Sequence, residues 1–297
     1  MNIMKELNYT IAEHVNNVVC EPQFFVKVFE KIENYLDDTY HFIIGRTNSN
    51  EERLLTKKCI KPGKKNILIM LSDEAGIIPY DLDEYYMVYR TYSNQNLVDD
   101  KKVFGVPCGF SYSYGGLFGK SDWCYTDMET PKRKLIDREY DFFYSAQLSP
   151  NRVTCVNVLN SIKNKYKCII NNTQGGFARG YELNEYYELM QNSKIAIVPN
   201  GAVVPESFRY FESFESNCIV ITTYPKHIPI YNNWFYENST AIFLNDWNDL
   251  TTNLIDSLLT EDSLKKYQID NRNYFDKYLS TDAIMEYILK NIEKNEQ

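Results

Sequence analysis

From Arg138 onward the chain alternates short apolar runs with helix-length amphipathic segments, and this alternation constrains the fold more than any other feature. Runs at 138–146, 167–173, 194–201, 218–223 and 241–246 read as buried strands. Segments at 151–166, 183–193, 207–217, 249–260 and 263–280 carry helical spacing, with Asn184 placed as the N-cap of the second. A parallel strand pair needs a long crossover, and a helix supplies it. Strict alternation therefore implies a parallel, doubly wound sheet.

The first half is less regular but of the same kind. Residues 23–37 have apolar positions at helical spacing, and 40–45, 67–71, 84–92 and 101–110 give strand candidates. Residues 111–137 are rich in turn formers and read as a crossing segment. A chain of 297 residues suits two domains at roughly 100–200 residues each. The expected division is 1–130, 131–280 and a C-terminal helix at 281–297.

Composition excludes some classes. The net charge is -8, from 32 basic and 40 acidic residues, so no general nucleic-acid footprint is present. Lysines do cluster at Lys57, Lys58, Lys61, Lys64 and Lys65. Such a run is ordinarily a solvated surface, and the sharper alternative is peripheral contact with an anionic membrane or acceptor. The opening residues lack the apolar core of a signal peptide, and no apolar run is long enough to span a bilayer. Seven scattered cysteines without a CxxC pair suit reduced thiols, and the expected location is the cytoplasm. Three histidines far apart in sequence, His14, His41 and His227, argue against a structural zinc site.

The segment 193–222 concentrates polar chemistry. An apolar strand ends at Pro199–Asn200–Gly201, a loop follows, and a helix opens near Glu206–Ser207. Ligands in open α/β sheets sit at the carboxyl ends of strands, and a helix N-terminus offers free N–H groups to a diphosphate. Arg209 stands in the first turn, where its planar fork suits phosphate oxygens. Glu212 lies one turn on, where a carboxylate can accept ribose hydroxyls; the bland alternative is an i,i+3 ion pair with Arg209.

This segment resembles the C-terminal signature of exostosin-like glycosyltransferases and their relatives in the GT-B group. The resemblance rests on Pro199, Gly201, Ser207, Arg209, Glu212, Cys218, Ile219 and Val220, with Arg152 at an upstream helix start, and covers about 138–225. It implies a GT-B architecture, two Rossmann-like domains facing each other across a cleft. It implies an enzyme that moves a sugar from a nucleotide-sugar donor to a glycan or lipid-linked acceptor, as in surface polysaccharide synthesis. Glu212 would then bind the donor ribose, and Arg209 and Arg152 the diphosphate. Asn200, Gly201 and Ser207 would supply polar contacts, with Glu206 standing in for an acidic residue that the wider group carries where this chain has Val204. Two family glycines are replaced, by Asn217 and Ala146. Enzymes of this group generally need no bound metal or other cofactor. The Asp81–Leu82–Asp83 triplet reads as a solvated turn.

An inverting transfer needs a base on the acceptor side. Asp73 and Glu74, at the end of the Ile67–Leu71 run, are the leading candidates; a turn-capping role for Asp73 is the alternative, and His14 and His41 rank lower. Three other readings stay open. The chain could be a non-catalytic nucleotide- or glycan-binding protein of the same fold. It could be a DNA-modifying glucosyltransferase, which the acidic balance disfavours. A NAD-dependent dehydrogenase is disfavoured because Gly175–Gly176 lacks the third glycine of a dinucleotide fingerprint.

Overall fold

The computed structural model of the protein describes residues 9–16, 22–71, 82–92, 101–109, 133–173, 180–201, 206–223, 234–236 and 238–297. They form two compact units. The first holds the described residues of Met1–Thr126, Pro229–Glu237 and Asp276–Gln297, and the second those of Asp127–Ile228 and Asn238–Phe275. The chain thus returns to the first unit at its end, and the passage at Phe275–Asp276 lies in a π-helical turn, Phe275–Leu279.

Five parallel strands build the first unit: β1 (Tyr9–Ile11), β2 (Tyr40–Gly45), β3 (Lys65–Met70), β4 (Met87–Arg90) and β5 (Val103–Gly105), paired in that order. β2 is buried along its whole length, as a parallel strand covered on both faces should be. On one face Phe42 packs against Phe29 of helix α2 (Pro22–Ile32), with ring centroids 4.6 Å apart. Ile43, Leu68, Met70, Val88 and Val103 form a core on the other face. The C-terminal helix Thr281–Glu296 packs on α2, and the Tyr89 hydroxyl donates to the Ile288 carbonyl at 3.3 Å. Trp234 donates from Nε1 to the Gly105 carbonyl at 3.1 Å and stacks on Tyr287 at 4.2 Å.

Three elements of this unit escape hydrophobic patterning. β1 has three residues inside a polar opening, and the helices α1 (Glu13–Asn16) and α3 (Asn50–Lys57) are short. α3 starts on a cap instead: the Ser49 hydroxyl accepts from the Glu52 N–H at 3.2 Å. The lysine run is distributed over α3, a turn and β3. Lys57 pairs with Glu84, Lys64 with Asp38 and Lys65 with Glu296, so the solvated-surface reading describes these three. Asp83 is likewise a surface residue, in a 3-10 turn at Leu82–Glu84 and facing Lys102. Among the described residues no helix is long and apolar enough to cross a membrane.

In the second unit, β6 (Tyr140–Gln147), β7 (Cys168–Thr173), β8 (Ser193–Ile197), β9 (Ile219–Thr223) and β10 (Ile242–Leu244) are all parallel, in the order β10-β9-β8-β6-β7. The helices are α4 (Val153–Ile162), α5 (Leu183–Gln191), α6 (Phe208–Glu215), α7 (Thr252–Leu258) and α8 (Glu261–Tyr274). Phe142, Tyr144, Ala146, Ile195, Ile197, Ile219 and Ile221 make the core of one sheet face. From β6 the chain moves outward to β7, then returns to the opposite side of β6 for β8. This reversal between β6 and β8 is a topological switch point, and open sheets of this kind take ligands at the strands' carboxyl ends there.

Three details correct the linear reading. α5 begins at Leu183 with Glu182 at its N-cap, so Asn184 lies within the first turn. α4 begins only at Val153, because Pro150–Arg152 closes a 3-10 turn first. Asn217 takes the place of the family glycine because the position is left-handed, with φ 54°. Its N–H reaches the Phe214 carbonyl and the Cys218 N–H reaches the Ser213 carbonyl, each at 2.9 Å, which is a Schellman stop for α6. Asparagine is the residue other than glycine that adopts this conformation most readily.

Candidate functional site

The switch point gathers most of the singled-out residues of the second unit. β6 delivers Ser145 and Gln147 to its carboxyl end, followed by the turn that carries Arg152. β8 delivers Asn200 and Gly201, and α6 then opens at Ser207, whose extended backbone (φ -151°, ψ 139°) makes it the N-cap. The Ser207 side chain makes no capping bond to the helix. Phe211 and Phe214 are buried and fix the helix on the sheet.

Two arginines stitch this end together, in different ways. Arg152 is 5% exposed, and its guanidinium turns inward. Nε and Nη2 donate to the Asn200 carbonyl at 3.1 and 2.8 Å, and Nη1 donates to the Gln147 carbonyl at 2.9 Å. These donors hold two strand ends in register. Asn151 adds a bond from Nδ2 to the Gly201 carbonyl at 3.0 Å. Arg209 is half-buried. Its Nε donates to the Ser145 carbonyl at 2.6 Å and its Nη1 to the Ser207 hydroxyl at 3.4 Å. Among the described residues its Nη2 makes no hydrogen bond. Beneath them the Tyr144 hydroxyl is sealed from solvent without a hydrogen-bond partner among the described residues. Burial, with a contribution from Cys155, pushes its pKa up to about 12 against the opposing pull of Arg152 and Arg209.

Glu212 is 4% exposed. Its Oε2 accepts from the Tyr186 hydroxyl at 2.9 Å and its Oε1 from the Tyr187 hydroxyl at 3.3 Å. It is therefore not set out toward solvent in an ion pair with Arg209, which bonds elsewhere. Glu215, three residues on, keeps its Oε2 sealed without a hydrogen-bond partner among the described residues. Burial first, and then the Glu212 charge, push its pKa well above the ordinary carboxylate range, with Arg272 opposing. Glu206 is 2% exposed beside Ser207. Tyr186 and Tyr187 were not singled out from sequence; their adjacency in α5, one helix before α6, was the available signal.

In the first unit Asp73 and Glu74 lie outside the described residues. The described carboxyl ends of this sheet carry other polar groups. His14 follows β1, Arg46 follows β2, and Arg90 ends β4, level with Met70 of β3 and 1% exposed. Arg90 was missed because it sits inside an otherwise apolar strand segment. Among the described residues, no three His, Cys, Asp or Glu side chains converge as a metal site would require.

No protein-family model matches the chain, and no curated protein matches it in sequence. Solved structures do. TarM is similar with a TM-score of 0.52 at 12% identity, over 90% of this chain and 58% of that one. A point mutant of S. aureus TarM in complex with Fondaparinux, alpha-GlcNAc-glycerol and UDP gives 0.50 at 12% identity, with the same coverage of 90% and 58%. An α1,3-fucosyltransferase gives 0.49 at 10% identity, over 97% of this chain and 90% of that chain. The chain thus spans little more than half the length of TarM. At such identities the likeness speaks to the fold: two parallel-sheet α/β units of the GT-B type.

Proposed function

We propose that this GT-B chain is a glycosyltransferase whose nucleotide-sugar donor binds at the β6/β8 switch point of the second unit. One observation carries the reading. The Arg209 guanidinium is held by the Ser145 carbonyl and the Ser207 hydroxyl at the carboxyl end of β6, with Nη2 making no hydrogen bond among the described residues. Fixed donors beside a helix N-terminus stabilise the charge that develops on a departing nucleoside diphosphate. The described strands of the first unit run in sequential order without a reversal, so the switch-point rule assigns the nucleotide to the second unit.

In this reading Arg209, Ser207 and the α6 N-terminus hold the diphosphate, and Glu206 accepts from hydroxyls of the donor sugar. Arg152 keeps the Asn200–Gly201 loop in place. Glu212 takes ribose hydroxyls by exchanging its bond with Tyr186, the more exposed of its two tyrosines. The acceptor is a glycan or lipid-linked saccharide, and no metal takes part. The UDP in the complex of mutant TarM supports a nucleotide of this type as the donor's leaving group.

The burial of Glu212 and the inward turn of Arg152 favour one second reading, a protein of this fold that binds nucleotide or glycan without transfer. Incubating the chain with UDP- and GDP-sugars, with EDTA or with magnesium, and measuring nucleoside diphosphate release separates the two. Release that rises with added saccharide acceptor supports transfer. Tight nucleotide binding without release under any condition supports the second reading.

A further inference from the structure

Helix α6 carries two carboxyl groups one turn apart and equips only one of them to hold a charge. Residues three apart on a helix share a face, so Glu212 and Glu215 are neighbours. Glu212 has both oxygens engaged, by the Tyr186 and Tyr187 hydroxyls on the α5 side. Glu215 has its Oε2 sealed from solvent without a hydrogen-bond partner among the described residues. It is also the last residue of α6, where the helix's partial negative charge opposes an anion. On the α8 side stands Arg272, which favours the ionised form and lies over the Phe275 ring at 5.1 Å from its centroid. β9, which also packs against α6, is Ile219–Thr223 and brings no titratable side chain. A carboxyl group so placed takes up a proton rather than share one helix turn with a second anion. Burial and Glu212 outweigh Arg272, and Glu215 keeps its proton well above the ordinary carboxylate range.

We infer that Glu215 is a positioning residue for the donor site: its proton leaves Glu212 the single negative charge of the pair, available to the donor ribose. The inference rests on the ribose role given to Glu212 in the transferase reading. When Glu215 ionises, two negative charges stand one turn apart. Glu212 then takes up a proton, or the two side chains are pushed apart. Either response weakens what the ribose hydroxyls bond to, because a hydrogen bond to an ionised acceptor is the stronger kind. Donor affinity is therefore greatest while Glu215 is protonated, and it falls as pH rises through the folded-state pKa of Glu215. By reciprocity, a donor that prefers the protonated form raises that pKa further. Binding then draws a proton from solvent wherever Glu215 of the free protein is partly ionised.

The test uses the full chain with ADP-, CDP-, GDP-, UDP- and dTDP-glucose, whose esterified diphosphates do not titrate between about pH 5.5 and 8.5. Isothermal titration across that range follows the wild type, Glu215→Gln and Glu212→Gln. Wild-type affinity for the donor that binds should fall about 5–150-fold from the acid to the alkaline end. Glu215→Gln places a neutral side chain of the same shape there, and should keep the acid-end affinity throughout. Glu212→Gln should bind more weakly at the acid end and lose the pH dependence, since no charge is left to couple. Wild-type titrations in buffers of different ionisation heat should show proton uptake near the midpoint, a measurement that needs no variant. A wild-type affinity that does not fall with pH, a Glu215→Gln profile parallel to the wild type, or binding without proton uptake overturns the inference and leaves the donor site standing. A pH dependence that survives in Glu212→Gln overturns it as well, because the coupling then does not run through Glu212. Absence of binding by all five nucleotide sugars overturns the donor-site reading itself, and the inference with it.

Discussion

Arg209 donates from Nε to the carbonyl oxygen of Ser145 at 2.6 Å, tying the first turn of α6 to the carboxyl end of β6. The bond crosses the switch point, because β8 lies between β6 and the strand that follows α6. It fixes the guanidinium before any ligand arrives, so little order is lost on binding.

Arg209→Gln should weaken UDP or GDP binding by about 1.5–3 kcal/mol, the usual worth of a hydrogen bond to a charged group. Isothermal titration at fixed salt measures it, and the melting temperature should change little. Arg152→Gln should behave in the opposite way. It removes three bonds to the Asn200 and Gln147 carbonyls in a buried setting. A loss of about 3 kcal/mol in urea-denaturation stability is expected. Equal effects of the two variants on nucleotide affinity would contradict the division of labour.

Glu212→Gln tests the ribose contact. Its carboxylate already serves Tyr186 and Tyr187, so the fold should tolerate an amide that keeps one acceptor oxygen. Nucleoside diphosphate affinity should fall by up to about 1.5–3 kcal/mol, and the preference over the 2′,3′-dideoxy nucleotide should vanish. Unchanged affinity and preference would reduce Glu212 to a support for the two tyrosines.

Asn217 offers a test of the backbone alone. Asn217→Ala and Asn217→Gly both lose the bond from Nδ2 to the Gln268 carbonyl at 3.1 Å. Only alanine also meets the left-handed penalty at φ 54°. Alanine should therefore be less stable than glycine by about 1–2 kcal/mol in chemical denaturation. Equal stabilities would show that the Schellman stop is not what fixes the end of α6.

Glu215 makes stability depend on pH. Its folded-state pKa is raised above the ordinary 4.5, so the folded chain holds this proton more tightly than the unfolded one. The stabilisation is complete below that ordinary value and is lost as pH rises through the raised one. Glu215→Gln removes the dependence. The melting temperature of the variant relative to the wild type should climb from pH 4 to pH 8, and parallel curves would contradict the buried, unpartnered carboxyl.

The second unit was legible in sequence because each β–α step carries its own signal. Ile195–Ile197 and Ile219–Ile221 are continuous apolar strands, and α6 shows its phenylalanines at helical spacing. The strand order was not legible, since β6 pairs with both β7 and β8 through contacts that no local pattern encodes. Position was legible where a motif fixes it, as with Ser207 and Arg209 at the start of α6. Direction was not: Arg152 and Arg209 look alike in sequence, and only the carbonyls of Asn200 and Gln147 show that one turns inward. β1 has three residues and α1 four, too few for periodicity to register, so the surroundings of His14 could not be read in advance.

The most direct test of the account is a thermal-shift and titration series with UDP, GDP, ADP, CDP and dTDP, in EDTA and in magnesium, on the wild type and Arg209→Gln. At least one nucleoside diphosphate should stabilise the wild type by about 2.7 kcal/mol when present at roughly 100 times its Kd. It should do so in EDTA, and Arg209→Gln should remove most of the effect. Stabilisation that needs magnesium would leave the switch-point site standing and remove the metal-free claim. If no nucleoside diphosphate stabilises the wild type under either condition, the β6/β8 switch point is not a donor site and the central claim is wrong.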